Sequence, residues 1–208
     1  MASTGVLLRL FLLVHALGNS TIFAGWLNAY AAHLHAFPAA VWISRAGLLA
    51  LFTVHVWYGV TLTLENRAAK PRGYAVAAHR RSTLASRTMI WTGLAVAGFL
   101  VYHQLHVTFQ VIHPEAGALA HADAAGRPDV MRMILIGLTH AGTAAVYLLG
   151  MVALGTHLFH GIVSAAQTFG LNGERSFPRV VAAGRILAGL LALSFIVISA
   201  SILAGFVG

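Results

Sequence analysis

The chain has 208 residues, 59% of them hydrophobic and only 9% charged, with a formal net charge of +8 and no cysteine. A soluble domain carries roughly 25% charged residues, so water is not its main solvent. The absence of cysteine excludes disulfides, thiolate metal sites and cysteine-held clusters, so any redox cofactor must be held by histidine.

Apolar stretches of about 20 residues, the length that crosses ~30 Å of hydrocarbon, fall at approximately 3–30, 41–64, 88–110, 131–167 and 184–207. They predict an all-α integral membrane protein, a single domain over 1–208 with five transmembrane helices, here spans I to V. Span I contains His15, has no A-x-A-like cleavage site, and begins almost at Met1 without a basic leader, which leaves room for a longer natural N-terminus. The I–II connection, 31–40, has no Lys or Arg. Span II contains His55, and the II–III connection with its helix ends carries Arg67, Lys70, Arg72, Arg80, Arg81 and Arg87. Span III contains His103 and His106, and the III–IV connection and its flank carry only Arg127 and Arg132. Span IV contains His140, His157 and His160, and Arg175, Arg179 and Arg185 lie between it and span V. Cytoplasmic loops are enriched in Lys and Arg, so the II–III and IV–V connections and the N-terminus are expected on the cytoplasmic side and the C-terminus outside. The basic residues sit at membrane boundaries rather than among aromatics on a polar face, which argues against nucleic acid. The acidic residues Glu65, Glu115, Asp123, Asp129 and Glu174 all fall between spans, so no carboxylate is expected inside a helix.

Twelve histidines is a dense set, and an ionisable group inside a membrane span is costly and usually functional. Neutral imidazoles from facing helices can hold a haem iron from both sides, and four spans with suitable histidines allow two haems. At a rise of 1.5 Å per residue, His55 and His157 lie roughly 13–15 Å from the inner ends of their spans, His15 roughly 18 Å and His103 roughly 24 Å. Depth makes His55 with His157 and His15 with His103 the natural pairs, with His15, at an intermediate depth, open to either assignment. Gly18, Gly59 and Gly161 follow three of these histidines by three or four residues, on the same helical face, and would leave room for a flat macrocycle. His103 and His106 are three apart and cannot both be axial to one iron; the same holds for His157 and His160. A lone membrane histidine usually bonds a neighbouring helix, and it is the set of four that favours metal ligation. His140 near the outer end of span IV, and His33, His35, His79, His113 and His121 in the connections, read as surface residues.

The segments His15-Ala-Leu-Gly-Asn19, His55-Val-Trp-Tyr-Gly59, Ser86-Arg-Thr-Met-Ile-Trp-Thr-Gly93 running to His103, and His157-Leu-Phe-His-Gly161 with Ser164 and Gln167-Thr-Phe-Gly170 closely resemble the di-haem cytochrome b subunit of succinate:quinone oxidoreductases. The resemblance covers essentially the whole chain in order. It implies five transmembrane helices, the first four forming a haem-binding bundle with the N-terminus cytoplasmic, and two haems b. His55 and His157 would be axial on the proximal haem and His15 and His103 on the distal one. It selects His103 over His106, because the ligand stands ten residues after the glycine matched by Gly93, and His157, because the ligand precedes the matched Gly161 by four.

The resemblance further implies a flavoprotein partner with covalent FAD and an iron–sulfur partner, both on the cytoplasmic side of a bacterial inner membrane, with menaquinone favoured over ubiquinone as the quinone. The dicarboxylate site would lie on the flavoprotein, and a higher oligomer of the complex is compatible with this arrangement. The II–III connection is either a docking surface or only a topology signal. Arg45, Arg87, Tyr74 and Ser82 are candidate partners for haem propionates, since buried carboxylates need charged or hydrogen-bonding neighbours. Asn28, Tyr30, Trp42 and His106, near the outer ends of spans I to III, are candidates for a quinone site. Some relatives carry a glutamate two residues before the span IV ligand; here that position is Gly155, so a carboxylate proton path within this subunit is not expected. The competing expectations are the cytochrome b anchor of another membrane dehydrogenase and a haem-free, histidine-lined transporter.

Overall fold

The computed structural model describes residues 1–69, 87–171 and 173–207. Its regular elements are helical, apart from one isolated bridge between Ala122 and Pro128. In chain order they are α1 (Ala2–Ser20), α2 (Leu27–His35), α3 (Pro38–Ala69), α4 (Met89–His103), α5 (Val130–Thr139), α6 (Ala141–Thr168) and α7 (Phe177–Leu203). Among the described residues, four helices are long and apolar enough to cross a membrane: α1 with the 3₁₀ turn that extends it to Ala24, then α3, α6 and α7. The chain is a multi-pass membrane protein. Span III, the expected span not among these four, corresponds to the 15 residues of α4, continued by a widened π turn over Gln104–Thr108.

Two expected spans are broken. Span I ends early because Asn19, Ser20 and Thr21 turn their side chains back onto the carbonyls of His15, Ala16 and Gly18 at 2.7 Å each. Such bonds compete with the helical ladder. Gly25 then adopts a left-handed φ of 70°, open to glycine at no steric cost, and α2 sets off separately. Span IV is interrupted at His140, whose extended ψ of 115° separates α5 from α6. Span II, in contrast, is longer than expected, so Glu65 lies in its final turns, exposed. A carboxylate thus does fall within a helix, at its polar end. Residues 70–86, with Tyr74, His79 and Ser82, lie outside the described residues.

α1 packs on α3, α3 on α4, α4 on α6 and α6 back on α1, while α7 lies along α6 and also touches α1. Much of the buried core, including Met151, Leu154, Leu158, Ala188 and Leu191, sits between α6 and α7. No described residue of α3 is buried, so its outer face is left for lipid or a partner.

The 109–129 connection is built from polar bonds. Asn28 is buried on α2; its amide donates to Asp129 (2.9 Å) and Asp123 (3.3 Å), and its carbonyl accepts from the Met131 N–H (2.7 Å). Asp123 also accepts from the backbone N–H groups of Ala125 and Arg127 and from the Arg127 guanidinium at 2.7–2.9 Å. The Arg127 side chain, helped by those N–H groups, holds the Asp123 carboxyl down at about 2.

A carboxyl held below its unfolded value stabilises the fold above the unfolded value and loses that contribution as pH falls toward the folded one. The connection should therefore keep full protection above about pH 4 and loosen between about pH 4 and 2. Intrinsic-rate-corrected amide hydrogen exchange at Ala125 and Arg127 checks this. Exchange should quicken across that window in the native chain, with no such step in Asp123→Asn.

Candidate cofactor-binding site

Four histidines from four helices meet as two pairs. The His55 ring on α3 lies 6.2 Å from that of His157 on α6, at 77°. The His15 ring on α1 lies 6.0 Å from that of His103 on α4, at 85°. Two imidazoles that share one metal ion through nitrogen–metal bonds of about 2 Å have ring centroids about 6 Å apart. The two pairs thus stand at the separation a bis-imidazole metal site needs.

The hydrogen bonds around the rings favour one nitrogen of each for metal. The Thr4 hydroxyl donates to the Met1 carbonyl at 2.8 Å and lies 3.1 Å from His55 Nδ1, so its oxygen can accept a proton carried there. Thr92 is placed alike: its hydroxyl reaches the Met89 carbonyl at 3.1 Å and lies 3.4 Å from His157 Nδ1. Tyr147 lies 3.2 Å from His103 Nδ1 and 2.8 Å from His106 Nδ1, and with one proton it donates to one ring and accepts from the other. An imidazole with its proton fixed on Nδ1 offers the Nε2 lone pair to a metal, and such an outer hydrogen bond commonly orients a histidine ligand. His15 is held by ring contacts, stacked on Phe11 at 5.3 Å and tilted against Phe195 of α7 at 5.8 Å.

Glycines border the His55/His157 pair, though not those expected. A Cβ on Gly5 would lie 3.3 Å from His55 Cε1, and one on Gly93 would lie 3.1 Å from His157 Cε1. Gly18 accommodates the Tyr30 phenol instead, Gly59 faces the Met1 side chain, and Gly161 admits the Arg9 guanidinium, whose Nη2 would be 3.2 Å from a Cβ there. Arg9, half-buried on α1 between Gly5 and Gly161, is a cation beside the His55/His157 pair. Sequence reasoning missed it, along with Thr4, Thr92 and Tyr147. An arginine within an apolar run six residues before His15 was the available signal.

The other candidates are scattered. Arg45 stacks over Trp42 at 5.1 Å on the exposed side of α3, and Arg87 is exposed before α4. Asn28 is committed to the 123–131 segment, and Tyr30 to the backbone at Gly18. His106 is 1% exposed, seated against Gly137, and its Nε2 has no hydrogen-bond partner. Asn28, Tyr30, Trp42 and His106 are thus each taken up by different neighbours. His160 is half-buried one turn beyond His157.

No protein-family model, curated protein or solved structure matches the chain.

Tyr147→Phe would strip His106 of the partner of Nδ1 while Nε2 is already unpaired. An unsatisfied buried polar group costs about 1–3 kcal/mol, so the thermal midpoint in detergent should fall by several degrees. A midpoint matching the native chain would contradict the geometry around His106.

Proposed function

We propose that this chain is the cytochrome b membrane anchor of a succinate:quinone oxidoreductase. The observation that carries this reading is the meeting of His55 with His157 and of His15 with His103, each pair at metal-sharing separation within apolar helices. The sequence resemblance narrows that chemistry to haem. Two bound haems b would supply one-electron transfer between an iron–sulfur partner on the cytoplasmic side and a membrane quinone, with menaquinone favoured by the resemblance.

The chain's own residues then have distinct tasks. α1, α3, α4 and α6 act as a four-helix bundle, with α4 crossing as span III and α7 as span V, that fixes the spacing of the rings and keeps water from them. Thr4, Thr92 and Tyr147 orient His55, His157 and His103 through Nδ1. Arg9 supplies positive charge beside the inner pair, suited to a propionate carboxylate. Arg45, Arg87, Tyr74 and Ser82 remain the sequence-based choices for the other propionates. The dicarboxylate chemistry belongs to a flavoprotein subunit, in either the oxidative or the reductive direction.

Purification of the native membrane complex, with a pyridine haemochrome count, tests the reading. About two b haems per chain are expected, falling to about one in His55→Ala or His15→Ala, together with co-purifying covalent FAD. No haem would overturn the proposal in favour of a transporter, and haem with a partner lacking flavin would point to another dehydrogenase. Arg9→Gln should retain both haems but lower one midpoint potential by tens of millivolts, because a nearby cation favours the reduced form. A redox titration showing both potentials unmoved would remove Arg9 from the site.

A further inference from the structure

A second histidine cluster lies away from the two pairs, where α5 gives way to α6. His113, Glu115 and His140 each present a ligand atom, all within 4.8 Å of one another. The His113 and His140 rings are 3.8 Å apart, and His113 Nδ1 is 3.5 Å from Glu115 Oε1. Donors around a tetrahedral zinc ion at bonds of about 2.0–2.1 Å are roughly 3.4 Å apart, so the closest donors already stand near that spacing.

Two further observations favour a built site. His113 Nε2 lies 3.0 Å from the hydroxyl of Thr143, which is buried and in turn lies 2.9 Å from the Tyr102 hydroxyl. With its Nε2 proton given to Thr143, and the Thr143 proton to Tyr102, His113 presents a bare Nδ1 toward Glu115. This is the support from behind that histidine ligands commonly receive. The backbone is also held in an uncommon form, with φ of 56° at His113 and 53° at Gln110. A non-glycine residue is strained there and persists only where its surroundings impose it. Gly117 admits the Gln110 amide, 2.6 Å from where a Cβ would be, which fixes the bend before His113.

We propose that His113, Glu115 and His140 form a binding site for a divalent cation of the zinc class, with water completing the coordination. Two imidazoles and one carboxylate with an open position suit zinc, whereas magnesium and calcium prefer oxygen donors alone. Neither haem nor a dehydrogenase partner is needed for this site, so it stands or falls apart from the proposed function.

The test is zinc counting by mass spectrometry on the tag-free, detergent-purified protein, equilibrated with micromolar zinc chloride and desalted, plus competition with a chromophoric chelator. The native chain should hold one more zinc per chain than His113→Ala/His140→Ala. Glu115→Gln, a change at an exposed side chain, should weaken binding by at least about tenfold, and His35→Ala should leave it unchanged. Excess magnesium should not displace the metal. Equal zinc in the native and double-variant chains, undiminished affinity in Glu115→Gln, or displacement by magnesium would each overturn the proposal.

Discussion

An imidazole placed in a hydrocarbon span must find partners for both ring nitrogens or leave one unpaid for in a medium without water. Much of this molecule follows from that constraint. His55, His103 and His157 each have a hydroxyl near Nδ1, supplied by another helix or, for Thr4, by the start of α1. Each such contact ties one helix to the next, so the residues that orient the rings also help fix how α1, α3, α4 and α6 meet. Glycines at 5 and 93 then let helix backbones approach the rings of His55 and His157.

The end of the molecule where α5 gives way to α6 solves the same problem differently. His106 takes one bond from Tyr147 and is otherwise enclosed. His113 and His140 lie beyond it at the rim, with the His113 ring 6.0 Å from that of His106. The intervening connection is held by charge and amide bonds around Asn28, Asp123 and Asp129, together with the buried Ala116 and Ala118. A π turn at Gln104–Thr108 brings His106 inward; such turns are frequent at functional positions.

Depth makes His55 with His157 a natural pair, because the rise of a helix is constant and hydropathy locates its ends, but leaves His15 open; the packing of α1 against its neighbours is what brings the His15 ring to that of His103. What escaped was whatever depends on backbone departures or on side chains reaching across helices. Nothing in the hydropathy of 3–30 marks the stop made by Asn19, Ser20 and Thr21, nor does 131–167 reveal the bend at His140. Asn28 looked free for a ligand because its aspartate partners stand about a hundred residues away in sequence. Arg9 was overlooked within an apolar run, although its long side chain carries the charge to the glycine faces of α1 and α6. From their position on the helix face Gly18 and Gly161 suggest space for a macrocycle, yet they admit Tyr30 and Arg9.

The central claim is that His55 acts with His157 and His15 with His103, each pair holding one metal. Low-temperature electron paramagnetic resonance of the oxidised native complex tests it most directly. The account predicts two low-spin ferric signals, with replacement of His55 or His157 removing one and replacement of His15 or His103 removing the other. Loss of the same signal from His55→Ala and His103→Ala, or the absence of any low-spin signal, would contradict it.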